Sequence, residues 1–141
     1  MKRKDLILKT ALETFNKQGY EHVSTYDISR KLKISQGNLT YHFPTKQQLI
    51  NSLAKIEAGS IINSGAIIEH EVKIGKFSHV GPNATLCGNV NISDNVFIGA
   101  NSVVKEGVKI GKNSIIGAGS VVLKNVPANS TYVGNPAIKI K

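Results

Sequence analysis

Taking every sixth residue from Ile62 gives Ile62, Ile68, Ile74, Val80, Leu86, Ile92, Ile98, Val104, Ile110, Ile116 and Val122, eleven aliphatic residues in unbroken register. With 40% hydrophobic residues in the chain, chance agreement in one such frame is about 4 in 100,000. The residue two places before each is small or Val, from Ser60 and Ala66 through Ser120. Gly follows the aliphatic position at 75, 81, 99, 111 and 117. A strict six-residue register predicts a triangular coil in which three hexapeptides make one turn of 18 residues. The aliphatic side chain then points inward and stacks on its equivalents above and below. Gly and Asn suit the corners. Eleven units make three to four coils. A β-sandwich has no reason to keep such a register.

Before residue 54 the period is helical. Leu8, Ala11, Leu12 and Phe15 predict an amphipathic helix over Lys4–Gln18, ended by Gly19. Ser24 and Asp27 form a capping pair ahead of a second helix carrying Ile28 and Leu32. A connection over 33–36 leads to a third short helix through Phe43, stopped by Pro44. Thr45 and Gln48 open a fourth, with Leu49, Ile50 and Leu53. Two short helices joined by a tight turn make a helix-turn-helix candidate, whose third helix would expose Gln36, Asn38, Thr40, Tyr41 and His42; the alternative is a solvated helical hairpin whose polar face has no partner. Leu39 and Phe43 would face inward.

Composition supports two modules of different class. Five of the eight aromatic residues precede residue 54, and 11 of the 13 glycines follow it. The net charge of +9 also divides: nine basic and four acidic side chains in 1–53, nine and five in 54–141. A basic head suits phosphates, with amide and hydroxyl side chains to read bases and Lys46 for the backbone. No membrane-spanning run or signal peptide is present, and a single Cys excludes a disulfide framework, so the expected compartment is cytoplasmic.

Within the coil, His70 stands between Glu69 and Glu71, and His79 follows nine residues later. A His beside carboxylates can be a general base, or simply a solvated side chain on the coil surface. No third ligand stands at metal-binding spacing, so no metal is expected. Cys87 has no base at a fixed local spacing and reads as a packing residue.

Two resemblances sharpen these expectations. The stretch from Lys2 to Leu53, above all "ISQGNLTYHFPTK", resembles the DNA-binding domain of the TetR family of bacterial repressors. That resemblance implies a helix-turn-helix over Ser24 to Phe43. It implies that Thr25, Gln36, Gly37, Asn38, Thr40, Tyr41, His42 and Lys46 lie at double-stranded DNA. Thr40 stands where many members carry Tyr.

The segment "NSGAIIEHEVKIGKFSHVGPNATLCGNVNISDNVFIGANSVV", with the closing "VPANSTYVGNPA", is similar to bacterial sugar acetyltransferases of the left-handed β-helix class. These include the sialic acid O-acetyltransferases and the UDP-4-amino-sugar N-acetyltransferases. The resemblance covers about 59–141. It implies direct transfer from acetyl-CoA, with His70 as base and Glu71 and Asn63 orienting it. His79 would sit at acetyl-CoA, Gly88 would donate to the thioester carbonyl, and Ala100 and Ala118 would line the pantetheine channel. It also implies a homotrimer with sites between neighbouring helices, and a small-molecule acceptor such as a nucleotide sugar. The sequence shows neither the helical ligand-binding domain that follows the TetR head nor the α/β domain that precedes the acetyltransferase β-helix.

The chain is thus expected to join a TetR-type domain, 1–54, to a β-helix acetyltransferase domain, 59–141. Two alternatives stand beside the enzyme. One is a DNA-binding regulator that uses the β-helix to oligomerise. The other is a chimera with neither function intact.

Overall fold

The computed structural model describes residues 2–141, with the side chain of residue 51 left aside. The chain separates into two compact units, Met1–Leu53 and Ala54–Lys141.

The first unit is helical. Helix α1 (Arg3–Gln18) buries Ile7, Leu8, Ala11 and Phe15; Leu12 is only half-buried, and Ile7 takes the place the sequence pattern gave it. Thr14, also buried, donates its hydroxyl to the Thr10 carbonyl at 2.6 Å and accepts from Lys31 Nζ at 3.0 Å, which ties α1 to the next helix. After a 3-10 turn at Tyr20–His22, α2 (Thr25–Lys31) starts at the expected Ser24–Asp27 capping box. Ser35 caps α3 (Gln36–His42), and Thr45 with Gln48 caps α4 (Lys46–Asn51). Helix α4 therefore ends before Leu53, which still packs against the helical core. Leu39 and Phe43 are buried, as their inward positions require.

The second unit is a left-handed parallel β-helix of about four turns. Its two-residue strands are β1 (Lys55–Ile56), β2 (Ile61–Ile62), β3 (Ile67–Ile68), β4 (Lys73–Ile74), β5 (His79–Val80), β6 (Thr85–Leu86), β7 (Asn91–Ile92), β8 (Phe97–Ile98), β9 (Val103–Val104), β10 (Lys109–Ile110), β11 (Ile115–Ile116) and β12 (Val121–Val122). They stack into three faces: A (β1-β4-β7-β10), B (β2-β5-β8-β11) and C (β3-β6-β9-β12). Each parallel pair joins residues 18 apart, as in Ile74↔Ile92 and Val80↔Ile98. Face B is extended by β13 (Thr131–Val133) and the antiparallel β14 (Ile138–Lys139). The coil starts one hexapeptide earlier than the frame read from Ile62, because Lys55–Ile56 already pairs with Lys73–Ile74.

The aliphatic column fills the prism. From Ile74 to Val122 every member is at most 1% exposed. Ile62 and Ile68 are half-buried at the start of the coil. A second column turns the corners. Residues 59, 65, 71, 77, 83, 89, 95, 101, 107, 113 and 119 all have φ between 54° and 75°. Nine of the eleven are Gly or Asn, the types that enter the left-handed region at least cost. The two exceptions, Glu71 and Phe77, are consecutive.

Candidate functional site

His70 sits on the edge between faces C and A, on the turn joining β3 to β4. Its backbone carbonyl accepts from Asn89 N–H at 2.9 Å, which stacks this turn on the next coil. The residue below it in the column is Gly88. A Cβ built there would lie 2.6 Å from His70 Cε1 and 2.7 Å from Nε2, so the imidazole occupies space that only glycine leaves. Glu71, in its left-handed conformation, brings Oε2 to 3.7 Å from His70 Nδ1. The two side chains are 18% and 29% exposed, so the pair is partly withdrawn from water and still reachable.

His79 lies elsewhere, pointing outward from face B. Asn63 Nδ2 donates to His79 Nε2 (2.5 Å) and to the Val80 carbonyl (3.1 Å). A carbonyl can only accept, which fixes the amide orientation. His79 Nε2 is then an acceptor, and a neutral ring carries its proton on Nδ1. The Phe97 ring packs against His79 with centroids 4.9 Å apart. Asn63 was expected to orient His70; its amide is instead taken up by His79. The cause is the pitch, since 16 residues bring positions 63 and 79 onto adjacent coils, whereas His70 lies across face C.

Ala100 and Ala118 stack on the edge between faces B and C, where Gly119 N–H donates to the Ala100 carbonyl at 2.8 Å. The flanking glycines belong to this close stacking: a Cβ at Gly99 would lie 2.4 Å from Ala118 N. The candidates therefore divide between two sides of the prism. His70, Glu71 and Gly88 hold the C/A edge. Asn63, His79, Ala100 and Ala118 hold face B and the B/C edge.

Cys87 is half-buried on face C's closing turn. Burial, with the Glu69 and Glu106 carboxylates, pushes its thiol above the ordinary range, which disfavours the thiolate a nucleophile needs. Among the described residues, no three His, Cys, Asp or Glu side chains gather as a metal site requires.

In the helical unit, α3 exposes less than the sequence suggests. Tyr41 is 82% exposed, but Gln36, Asn38, Thr40 and His42 are half-buried. The reason is local. Gln36 Nε2 donates to Thr25 Oγ1 at 2.9 Å, and Thr40 Oγ1 donates back to the Gln36 carbonyl at 3.0 Å. His42 stacks edge-on to Tyr41. Lys46 is tethered, donating to the Tyr20 carbonyl and lying 5.8 Å from the Phe15 ring centre. A Cβ at Gly37 would meet nothing within 4 Å, so the start of α3 is open on that side.

With these features in place, the comparisons with known proteins fall in two groups. Residues 53–88 and 89–124 match the family described as bacterial transferase hexapeptide (six repeats). The chain belongs to that family. Residues 7–53 match the bacterial regulatory proteins of the tetR family, so the first unit is a TetR-type helix-turn-helix domain.

Among curated proteins, the chain is 44% identical over 57 residues to the HTH-type transcriptional regulator QacR of Staphylococcus aureus, covering 40% of this chain and 30% of that protein. Among solved structures it resembles PerB from Caulobacter crescentus in complex with CoA and GDP-perosamine. That likeness has 35% identity and a TM-score of 0.62, over 62% of this chain and 42% of the other. LpxA from Acinetobacter baumannii is similar at 34% identity and a TM-score of 0.54, over 57% and 31%. The chain thus spans less than half the length of each.

The signal that the sequence reading passed over is the corner column. Read three places before each aliphatic residue, it gives Gly or Asn except at 71 and 77, and so marks Glu71 without any structure.

Proposed function

We propose that the β-helix is an acyltransferase that moves an acetyl group from acetyl-CoA to an amine or hydroxyl of a sugar-like acceptor, without a covalent enzyme intermediate. The carrying observation is the His70 imidazole seated in the space left by Gly88, with the Glu71 carboxylate on its Nδ1 side. The Glu71 carboxylate, 3.7 Å from Nδ1, favours a proton on that side electrostatically, which directs Nε2, beside Gly88, to act as base. His70 Nε2 takes the proton of the acceptor as its nitrogen or oxygen attacks the thioester carbon. The Gly88 N–H donates to the carbonyl oxygen as negative charge develops there. Protonated His70 then returns the proton to the departing sulfur, so acylated acceptor and free CoA leave. The structure of PerB with CoA and GDP-perosamine supports this assignment and an amino-sugar acceptor.

The division of candidates between two sides of the prism supports a homotrimer in which the C/A edge of one copy meets the B/C edge of the next. Asn63 then holds His79 toward the coenzyme, while Ala100 and Ala118 leave room for its pantetheine arm. The test is thiol release from acetyl-CoA over a panel of amino sugars and alcohols. Wild type should turn over at least one acceptor, and His70→Ala should lose at least 100-fold. Equal background release by both proteins sinks the enzyme assignment.

A second reading concerns the first unit: binding of duplex DNA through α3. The exposed Tyr41 and the open side of Gly37 favour it. A mobility shift on duplex at two salt concentrations checks it. Absence of binding at low salt would refute it.

A further inference from the structure

The outward positions of the three faces differ in kind. On face B they are Ile61, His79, Phe97 and Ile115; on face C they are Ile67, Thr85, Val103 and Val121. None of these eight carries a formal charge. On face A they are Lys55, Lys73, Asn91 and Lys109, paired in direct register. Like charges on directly adjacent strands cost stability. Among the described residues, Lys55 alone has its charge answered on the face itself, by Glu57 at 2.9 Å. Beyond this ladder, face A opens into a groove of about 730 Å³ whose lining includes Lys55, Lys73, Asn91, Ser93, Asp94 and Lys112. Asp94 Oδ1 already accepts from the Lys76 N–H at 2.8 Å.

We infer that face A is a track for the phosphate backbone of duplex DNA, the polyanion that the TetR-type unit is read to bind. The inference rests on the DNA-binding reading of that unit. The cations lie in a line of four successive strands, with Asn91 in the third place. Lys55 and Lys109 stand three spacings apart, about 14 Å at roughly 4.8 Å each. One DNA strand places a charge every 3.4 Å or so along its axis, so this span faces about four phosphates. The groove is open to solvent, and among the described residues no aromatic side chain lines it to stack a base, which suits a linear polyanion better than a nucleotide. Face A is also the face that the apolar contacts of an assembly would leave free.

The experiment measures affinity for a 30-base-pair duplex of random sequence against salt concentration, using the full chain. The variants are the triple Lys55→Gln, Lys73→Gln, Lys109→Gln; the matching triple to Arg; and a head variant, Tyr41→Ala with His42→Ala. The Gln triple should lower the slope of log affinity against log salt by about 2 to 3, the Arg triple should keep it, and circular dichroism should match wild type throughout. A Gln triple with the wild-type slope overturns this inference and leaves the head's DNA binding standing. Wild type that binds no duplex at low salt overturns both. Competition by ADP as effective per phosphate as the duplex would make face A a small-anion site and overturn the DNA track.

Discussion

Glu71 sits in a backbone region that costs an ordinary L-residue about 1 to 2 kcal/mol, at a corner where nine equivalents are Gly or Asn. That cost keeps a carboxylate beside His70. Glu71→Asn should therefore fold at least as stably as wild type, by 0 to about 1 kcal/mol in denaturant melts, while losing most of its transfer activity. A mutant that is both less stable and fully active would contradict the assigned role. Gly88→Ala makes the complementary case. Its methyl group would stand 2.6 Å from the imidazole, so the coil should persist while turnover collapses. Cys87, with its thiol pushed up, should react slowly with iodoacetamide at neutral pH and gain rate only in alkali. His70 was legible as a base candidate because carboxylates flank it. The exchange of Asn63 from His70 to His79 was not, because a six-residue period gives the column of a residue but not the contacts made across adjacent coils.

The helices and coils owe their definition to different signals. The capping boxes at Ser24 and Thr45 were readable from four-residue patterns, since they depend only on local geometry. The half-burial of Gln36 and Asn38 was not, since it follows from how α3 lies against α2. Asp27 accepts from the Ser24 hydroxyl and N–H, and these bonds, with Arg30 nearby, hold its carboxyl below the ordinary value. A depressed folded-state value means that this stabilisation is present above the ordinary carboxylate range and is lost as pH falls through the depressed value. Helical melting followed by circular dichroism should fall with pH in that acid window, and Asp27→Asn should flatten the dependence. In the coil, stability lies in the buried column. Ile98→Ala, at a position with 0% exposure, should cost about 2 to 5 kcal/mol in a denaturant titration. The column itself was visible in the sequence from Ile62 onward; its start at Lys55–Ile56 was not, because Ile56 continues the six-residue frame but so does Ile50 inside α4, so the frame alone does not mark where the coil begins.

The whole chain combines a TetR-type unit with a hexapeptide coil, and no helix in its described residues is long and apolar enough to cross a membrane. If each site takes the C/A edge of one copy and the B/C edge of another, activity must be shareable. Mixing inactive His70→Ala with inactive His79→Ala, then reassembling, should restore roughly a quarter of the sites. No recovery in mixed trimers would place both histidines in one-copy sites. Light scattering should give three copies per particle; a dimer would favour a regulator with two-fold symmetry. The 18-residue turn carries a further consequence, for how such a chain can change length. Losing 18 residues from the coil would remove one storey and leave every later side chain on its own face. Losing six would keep the aliphatic column intact, yet rotate all that follows by one face, so that Lys109 would fall among the apolar positions. Folding would tolerate both deletions, while assembly and binding would tolerate only the first. Length variants of this coil should therefore survive selection in steps of 18 residues, three times the period on which its folding depends.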